Sequence, residues 1–227
     1  MLTITGQDGI SLPLGTGTAY PQTMTPTLPR RLAAGFALLL TLAAGSAAAP
    51  LFNGENLDGW TVENNGQFSV ADGILTVNRG TGWLRSNEQY SDFILTLELT
   101  FGEARANSGI FIRTAGTSDL ENNGWPDNGY QVQCMDTTQG ANPIGGMIFY
   151  GASQFEQIFN RAAIEANLKP PGEWNTVEIT ARGGNIAVRL NGVLINLVQG
   201  VTKLTGHVGI QGENGLLMFR KIDIQKL

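Results

Sequence analysis

The stretch that decides the fold is EWNTVEITARGGNIAVRLNGVLINLV, which runs from Glu173 to Val198. Apolar and polar residues alternate along it with period two, the pattern of β-strands that bury one face. Gly183-Gly184 and Asn191-Gly192 interrupt this alternation, and Asn-Gly favours a type I′ turn, whose twist matches the flanking strands. The stretch therefore predicts three antiparallel strands joined as a meander.

The same pattern continues on both sides of this meander. QFSVADGILTVN (67–78) predicts a hairpin around Asp72-Gly73, and DFILTLELTF (92–101) predicts a strand with one apolar face. HVGIQ (207–211) and LLMFRKIDIQKL (216–227) predict the last two strands. Many short antiparallel strands joined by tight turns favour an all-β fold, a two-sheet β-sandwich of the jelly-roll type.

Within the part of the chain where apolar and polar residues alternate, only SQFEQIFNRAAIEANL (153–168) has a helix-forming composition. It contains good helix formers and neither glycine nor proline. We expect one or two helical turns there, or a loop that lies across the end of the sandwich.

Composition limits the classes of function. The 227 residues include 30 glycines and only 15% charged residues, and the net charge is −5. These values predict one soluble, turn-rich domain and give no electrostatic reason to bind nucleic acid. Cys134 is the single cysteine, so it cannot form an intramolecular disulfide, and its strand-like surroundings predict a buried core thiol.

The N-terminal part predicts an export signal. In MTPTLPRRLAAGFALLLTLAAGSAAAP (24–50), two arginines precede a short apolar run and small residues follow. We expect cleavage near Ala47 or Ala48, with Met24 as the true start. The alternative, a membrane anchor, needs an apolar run of about 20 residues. The predicted division is an extension with signal over 1–49 and one domain over 50–227, exported to the periplasm or beyond and not inserted in a membrane after cleavage.

A series of motifs follows in order through this domain. The motifs are LFNGENLDGW (51–60), FSVADGILTV (68–77), GWLRSNEQYSDFILTLEL (82–99), NSGIFIR (107–113), GYQVQCMD (129–136), PPGEWNTVEITARGGNIAVRLNGVLIN (170–196) and GHVGIQGENGLLMFRKIDIQKL (206–227). In this order they resemble the bacterial 3-keto-disaccharide hydrolase family. The resemblance implies a concanavalin-like, lectin-like jelly roll and cleavage of glycosidic bonds in sugars oxidised at C3.

The chain departs from the family pattern at two places. The family usually has a glutamate where this chain has Gln131, and often Asp-His where this chain has Gly212-Glu213-Asn214. A carboxylate and an imidazole are therefore absent from their usual places. Three hypotheses remain open: an enzyme acting on 3-keto-glycosides, a non-catalytic glycan-binding module and, with the least support, a plain structural or interaction domain.

Strand parity selects the candidate ligand-facing residues. In NSGIFIR, residues Asn107 and Arg113 share a face while the isoleucines take the other. The donor fork of Arg113 suits an enolate oxygen or sugar hydroxyls; the alternative is a solvated strand end or an ion pair. Gln131 and Gln133 also share one face, suited to sugar hydroxyls or to an amide ladder between strands.

Two groups compete for the acid-base role. His207 is the only histidine, and histidine is the side-chain type suited to acid-base catalysis near neutral pH, although a lone histidine at a strand start is more often structural. Glu213 follows Gln211, a further predicted ligand-binding amide, and is the alternative base.

Aromatic residues and one loop complete the predicted site. Trp83 and Tyr150, with Arg85, are candidates to line a cleft, since aromatic faces stack on sugar rings; core packing is the alternative for Trp83. The oxygen-rich loop TSDLENNGWPDNGY (117–130) is a candidate site for a divalent metal such as calcium, but its residues are also common turn formers.

Overall fold

The computed structural model describes residues 46–137 and 142–227, and the predicted signal segment up to residue 45 lies outside these ranges. The elements within them are β1 (Ala49–Pro50), β2 (Trp60–Asn64), β3 (Phe68–Ala71), β4 (Ile74–Val77), β5 (Gly82–Tyr90), β6 (Phe93–Phe101), β7 (Asn107–Thr114), β8 (Ser118–Asp119), β9 (Trp125–Pro126), β10 (Gly129–Met135), β11 (Met147–Tyr150), β12 (Glu156–Phe159), α1 (Arg161–Asn167), β13 (Asn175–Arg182), β14 (Asn185–Leu190), β15 (Val193–Gln199), β16 (Gly206–Gly212) and β17 (Leu217–Lys226).

Two antiparallel sheets form the sandwich that the sequence predicts. Among the described residues, the nine-stranded sheet has the order β12-β15-β14-β13-β6-β17-β4-β3, with β1 paired to β17. The six-stranded sheet has the order β11-β10-β7-β16-β5-β2, and β8 and β9 form a separate small hairpin. Neighbours in these orders are often far apart in sequence, as in a jelly roll, so the prediction of fold class is confirmed.

The core lies between the two sheets and is built from alternate residues of each strand. Leu95 and Leu97 of β6 are fully buried in it, as are Ile110 of β7 and Val132 of β10. Cys134 is buried in the same cluster, which confirms the prediction of a core thiol. Burial of these rows fixes the face of every strand, because a shift of one residue would turn the apolar row outward.

The predicted turns are confirmed. Asp72 and Gly73 have φ values of 51° and 77°, and Asn191 and Gly192 have 49° and 84°. Positive φ at both central residues defines a type I′ turn, which glycine and asparagine adopt at low cost. The meander over β13, β14 and β15 therefore follows directly from local turn chemistry.

The predicted helical segment divides into two elements. Its first part forms the edge strand β12, and its second part forms α1. The helix begins after Asn160, whose side chain accepts a hydrogen bond from the backbone N–H of Ala163, as an N-cap residue does. None of the helices in the described ranges is long and apolar enough to cross a bilayer.

A bulge interrupts the six-stranded sheet where β7 and β16 pair. Gly209 lies opposite Phe111, but His207 lies opposite Thr114, so β7 has one residue more than its partner over this interval. Arg113 takes up the extra length with φ of 52°. Gly206 passes so close that a Cβ there would lie 2.4 Å from the Thr114 carbonyl oxygen.

Candidate functional site

Four amide side chains converge on the outer face of the six-stranded sheet, which points away from the core. The Nε2 of Gln131 donates to the Oε1 atoms of Gln133 at 2.7 Å and Gln211 at 3.0 Å. The Nε2 of Gln133 donates to the Oδ1 of Asn107 at 2.9 Å. The register explains the convergence, since Gln133 lies opposite Gly109, two residues from Asn107 on the neighbouring strand. The prediction that these residues share a face is confirmed.

Gly109 creates the space that this amide cluster occupies. A Cβ at that position would lie 2.1 Å from the Nε2 of Gln131, a distance that no real side chain tolerates. The glutamine side chain therefore lies directly across the backbone of β7. No side chain other than hydrogen fits beneath it without moving the amide.

The amide cluster is covered rather than open to solvent. Gln131 and Gln211 are each 1% exposed and Gln133 is 7% exposed. The β8–β9 hairpin lies over this face: the indole Nε1 of Trp83 donates to the Oγ of Ser118, and that of Trp125 donates to the Gly212 carbonyl.

Four aromatic rings in successive edge-to-face contact also cover this face of the sheet, in the order Trp83, Phe111, Tyr150 and Trp125. Trp83 is fully buried among these rings. It packs beneath the hairpin and does not line an open cleft, which favours the packing alternative over the predicted sugar platform.

Tyr150 joins the amide cluster to the aromatic row. Its hydroxyl donates to the Oε1 of Gln131. Burial raises the pKa of the Tyr150 phenol above its ordinary value, and the negative charge of Glu213 adds to this effect. Glu213 thus lies close enough to the phenol to act on it electrostatically.

Glu213 lies at the exposed edge of the same face. It lines a cleft of about 280 Å³ together with Gly80, Thr81, Asn123, Trp125 and Asn214. Burial raises the pKa of the Glu213 carboxyl, and a hydrogen bond from Asn107 acts in the opposite direction. A half-buried carboxyl with a raised pKa is poised to exchange a proton nearer neutral pH than an exposed glutamate.

The structure does not bring Arg113 to this site, and its predicted placement is wrong. The bulge turns its side chain away from Gln131, and the guanidinium is fully buried. It donates to the carbonyl of Ser91 at 2.8 and 2.9 Å, to that of Gly183 at 2.7 Å and to the Asp92 carboxylate at 3.2 Å. These partners lie in turns at the end of the nine-stranded sheet. Burial lowers the pKa of Arg113, which Asp92 and then Tyr130 counteract.

His207 lies near the other end of β16. It is separated from Gln211 by four residues, about 13 Å of extended strand. Its Nδ1 lies 2.7 Å from the Ser86 carbonyl and its Nε2 lies 3.2 Å from the amide nitrogen of Gln89. A neutral ring protonated on Nδ1 satisfies both contacts. The histidine is thus not brought together with the amide cluster, and its hydrogen bonds fit the structural alternative.

The oxygen-rich loop uses its carboxylates to shape turns. The Asp119 carboxylate accepts from the backbone N–H groups of Glu121 and Asn122, and the Asp127 carboxylate accepts from the Thr117 hydroxyl. In the described part of the chain, no three His, Cys, Asp or Glu side chains lie together in a way that could hold a metal ion. Arg85, the further predicted cleft residue, pairs with Glu63 at 2.8 Å.

Sequence reasoning missed several residues of the cleft. Trp125 lies in the two-residue strand β9, among turn-forming residues whose alternation predicts nothing about side-chain direction, and Thr81 and Asn123 lie outside the strands. The available signal was the isolated tryptophan in NGWPDNGY, because a large aromatic residue in a polar loop requires a surface to cover.

Solved structures with the same fold include two candidate glycosyl hydrolases from Parabacteroides distasonis ATCC 8503. One is 23% identical with a TM-score of 0.61, covering 80% of this chain and 100% of that chain. The other is 19% identical with a TM-score of 0.59, covering 88% and 98%. A carbohydrate binding module from Bacillus subtilis is 16% identical with a TM-score of 0.51, covering 74% and 96%. At these identities the likeness establishes the fold alone.

The jelly-roll sandwich is thus a fold that this chain shares with candidate glycosyl hydrolases and with a carbohydrate binding module. Comparison with curated proteins gives no match. The chain belongs to the family described as the 3-keto-alpha-glucoside-1,2-lyase-like domain, whose sequence profile matches residues 47–225. The resemblance drawn from the motifs is thereby confirmed.

Proposed function

We propose that the protein cleaves the glycosidic bond of 3-keto-glycosides at the cleft beside Glu213. The observation that carries this proposal is the Glu213 carboxyl, which lines a cleft on the face where the amides converge and has a pKa raised by burial. Family membership supplies the substrate class, since the family is described as 3-keto-alpha-glucoside-1,2-lyase-like.

The reaction begins with removal of a proton. A ketone at C3 acidifies the hydrogen on C2, and the Glu213 carboxylate takes it. The electron pair of the C2–H bond forms the C1=C2 double bond, and the bond from C1 to the glycosidic oxygen breaks. The aglycone oxygen leaves with a proton from an acid, for which the carboxyl that has just been protonated is in place. Addition of water across C1=C2 then gives the free 3-keto sugar.

The lining of the cleft suits one sugar ring. Its volume of about 280 Å³ lies just below the range for sites of drug-sized ligands, about 300–1,000 Å³. Thr81, Asn123 and Asn214 offer polar groups to hydroxyls, and Trp125 offers a ring face for the apolar C–H side of the sugar. We expect the keto-sugar to enter this cleft and the aglycone to project into solvent.

A second candidate function, glycan binding without cleavage, is favoured by one observation. Gln131, where the family usually has a glutamate, is an amide with both donor hydrogens occupied by other glutamines. It has no capacity to act as a base. If Glu213 does not replace the missing carboxylate, the same cleft remains a binding site only.

One experiment separates the two functions. The purified protein is incubated with a chromogenic 3-keto-glucoside, with and without divalent metal, and aglycone release is recorded. We expect release that falls by about 100-fold or more in Glu213→Gln and is unchanged in Glu178→Gln, a matched change on the opposite sheet. Calorimetric binding without any release would establish the module, and full activity in Glu213→Gln would exclude Glu213 as the base.

We also propose that the protein is exported from the cytoplasm. The support is the layout of residues 24–50, with paired arginines, a short apolar run and small residues before the domain. Expression in a bacterial host should place the protein in the periplasm or medium, with an N-terminus near Ala47 or Ala48 by mass spectrometry. An intact N-terminus in the cytoplasmic fraction would contradict this.

A further inference from the structure

The β8–β9 hairpin that covers the amide cluster is a small element. Its two strands have two residues each, and they pair Ser118 with Pro126 and Asp119 with Trp125. A two-stranded hairpin of this length is not stable by itself, so its position depends on its contacts with the sandwich. Leu120, between the two strands, is 77% exposed and adds little packing to those contacts.

The hairpin is held against the sandwich mainly by hydrogen bonds from side chains. In the described part of the chain these bonds run from Trp83 Nε1 to Ser118 Oγ at 3.0 Å, from Trp125 Nε1 to the Gly212 carbonyl at 3.1 Å and from Asn64 Nδ2 to the Gly124 carbonyl at 2.7 Å. Water can replace either partner of such a bond, so each contributes modestly. The hydrophobic core lies on the other side of the sheet and does not depend on them.

The side chains that the hairpin covers are amides and aromatic rings. Gln131, Gln133, Gln211 and Trp83 are all at most 7% exposed, although they lie on the outer face of the sheet and outside the core cluster. Amides offer donors and acceptors to hydroxyls, and an indole ring packs against the C–H face of a sugar. This set of groups suits a neutral, hydroxyl-rich ring.

The hairpin also forms one wall of the cleft beside Glu213. Asn123 and Trp125 line that cleft opposite Thr81 and Asn214. The ring of Trp125 is also in edge-to-face contact with Tyr150, whose hydroxyl donates to Gln131. Because Trp125 bounds both the cleft and the covered face, an outward movement of the hairpin would join the two.

We propose that the β8–β9 hairpin is a lid, which opens to let a keto-sugar pass from the cleft onto the amides of Gln131, Gln133 and Gln211 and the ring of Trp83. The proposal rests on the proposed function for the ligand that enters, and not for the opening itself. The groups that sequence parity assigns to the ligand are thus covered by the closed lid and reached when it opens.

The base of the hairpin is built to move as one unit. The Thr117 hydroxyl donates to the Asp127 carboxylate at 2.8 Å, and the backbone N–H of Asp127 donates to the Thr117 carbonyl at 3.3 Å. These bonds keep the two arms together while the residues just outside them change conformation. Gly116 precedes this base, and a small residue is common at a hinge.

The first test is hydrogen exchange of the tryptophan indoles, followed by NMR in the unmodified protein. The indoles of Trp83 and Trp125 donate hydrogen bonds between the hairpin and the sandwich. The indole of Trp60 donates to the Leu51 carbonyl from within the core cluster and is the matched control. We expect Trp83 and Trp125 to exchange at rates within about twofold of each other and at least about 100-fold faster than Trp60.

Two results of this measurement would overturn the lid. If Trp83 exchanges as slowly as Trp60, the hairpin leaves the sheet only when the protein unfolds. If Trp125 exchanges fast and Trp83 does not, only the rim of the cleft moves and the amides stay covered. Neither result depends on a substitution or on a ligand.

The second test locks the hairpin with a disulfide in the double variant Asn64→Cys, Gly124→Cys. A Cβ at Gly124 lies 2.9 Å from the Asn64 Cβ, so a small outward shift gives the separation of about 3.5–4.5 Å that a disulfide needs. Cys134 is buried and does not compete for oxidation. The oxidised and reduced forms of this one variant are compared, so the cost of the two substitutions is common to both.

Aglycone release from the chromogenic 3-keto-glucoside is the measurement for the locked lid. We expect oxidation to lower the release at least about 10-fold and reduction of the disulfide to restore it, because substrate entry needs the lid to open. Equal release by the two forms would overturn the lid, since the closed hairpin would then admit the substrate.

The outcome for the lid is distinguishable from the outcome for catalysis. Fast joint exchange of the two indoles, with calorimetric binding of the keto-glucoside that is weaker in the oxidised form and no release in any form, would retain the lid and refute the enzymatic function. Release that is indifferent to oxidation would retain the enzymatic function and overturn the lid. If the double variant fails to fold, indole exchange in the unmodified protein decides.

Discussion

Arg113→Met is expected to destabilise the protein by about 3–5 kcal/mol without acting on the cleft. The guanidinium is fully buried and is the donor to the carbonyls of Ser91 and Gly183. Methionine preserves most of the apolar stem but leaves the two carbonyl oxygens of these part-buried hydrogen bonds without their donor, at up to about 1–3 kcal/mol each. Asp92 contributes less, because its side chain is 37% exposed and water can replace the lost partner. The two carbonyl contributions sum to at most about 2–6 kcal/mol, and the expected value of about 3–5 kcal/mol lies within that range.

Urea unfolding followed by tryptophan fluorescence measures this change, and the midpoint of thermal unfolding should fall by about 6–20 °C. Arg189→Met is the matched control. Arg189 pairs with Glu178 on the partly exposed face of the nine-stranded sheet, so its loss should cost less than about 1 kcal/mol. The structural role would be refuted if Arg113→Met lowered the free energy of unfolding by less than about 1 kcal/mol and the folded variant no longer bound ligand. Arg113 would then be a ligand-binding residue, as the sequence predicted.

Three further predictions concern the site and the core. Gly109→Ala should displace the Gln131 amide and cost about 1–3 kcal/mol in urea unfolding; an unchanged stability would contradict the close approach at 2.1 Å. Burial raises the pKa of Glu213 in the folded state, so folding favours the protonated carboxyl. The resulting contribution to the free energy of unfolding is complete below the pKa of the unfolded chain, about 4.3, and is lost as pH rises through the pKa of the folded state. Glu213→Gln should therefore be more stable than the unmodified protein at pH 7 but not at pH 4, whereas a difference independent of pH would oppose this. Burial raises the pKa of Cys134 to about 12, so thiol reagents should label it only as fast as the protein unfolds, and rapid labelling of the native protein would show that the thiol is accessible.

Patterns within one or two strands predicted most of the fold. Alternation identified the buried rows of β6 and β10, and glycine with asparagine identified the turns at 72–73 and 191–192. These features depend on the backbone preferences of a few adjacent residues and on one apolar face, both of which are legible in a single sequence. The same parity correctly placed Gln131 and Gln133 on one face.

Strand parity predicted the wrong side for the Arg113 side chain, because the regular alternation of side chains along β7 ends at a bulge. The bulge depends on the partner strand, where Gly206 permits a close backbone approach. Nothing in NSGIFIR itself signals an extra residue, so the sequence could not show that the guanidinium turns from the ligand-facing side to the end of the sandwich. His207 lies away from the amides for a different reason, since about 13 Å of extended strand separate it from Gln211.

The primary structure by itself determined the family, the two-sheet architecture and which side of each regular strand meets the core, because these depend on short-range preferences and hydrophobic periodicity. Tertiary packing alone decided that the β8–β9 hairpin covers the glutamine side chains and that Glu213 and Trp125 line the same cleft. It also decided that amides from separate strands are hydrogen-bonded to one another. Those relations join residues far apart in the sequence, such as Gln131 and Gln211, which are 80 positions apart. Strand order and register bring such residues together, and neither is encoded in any local stretch of chain.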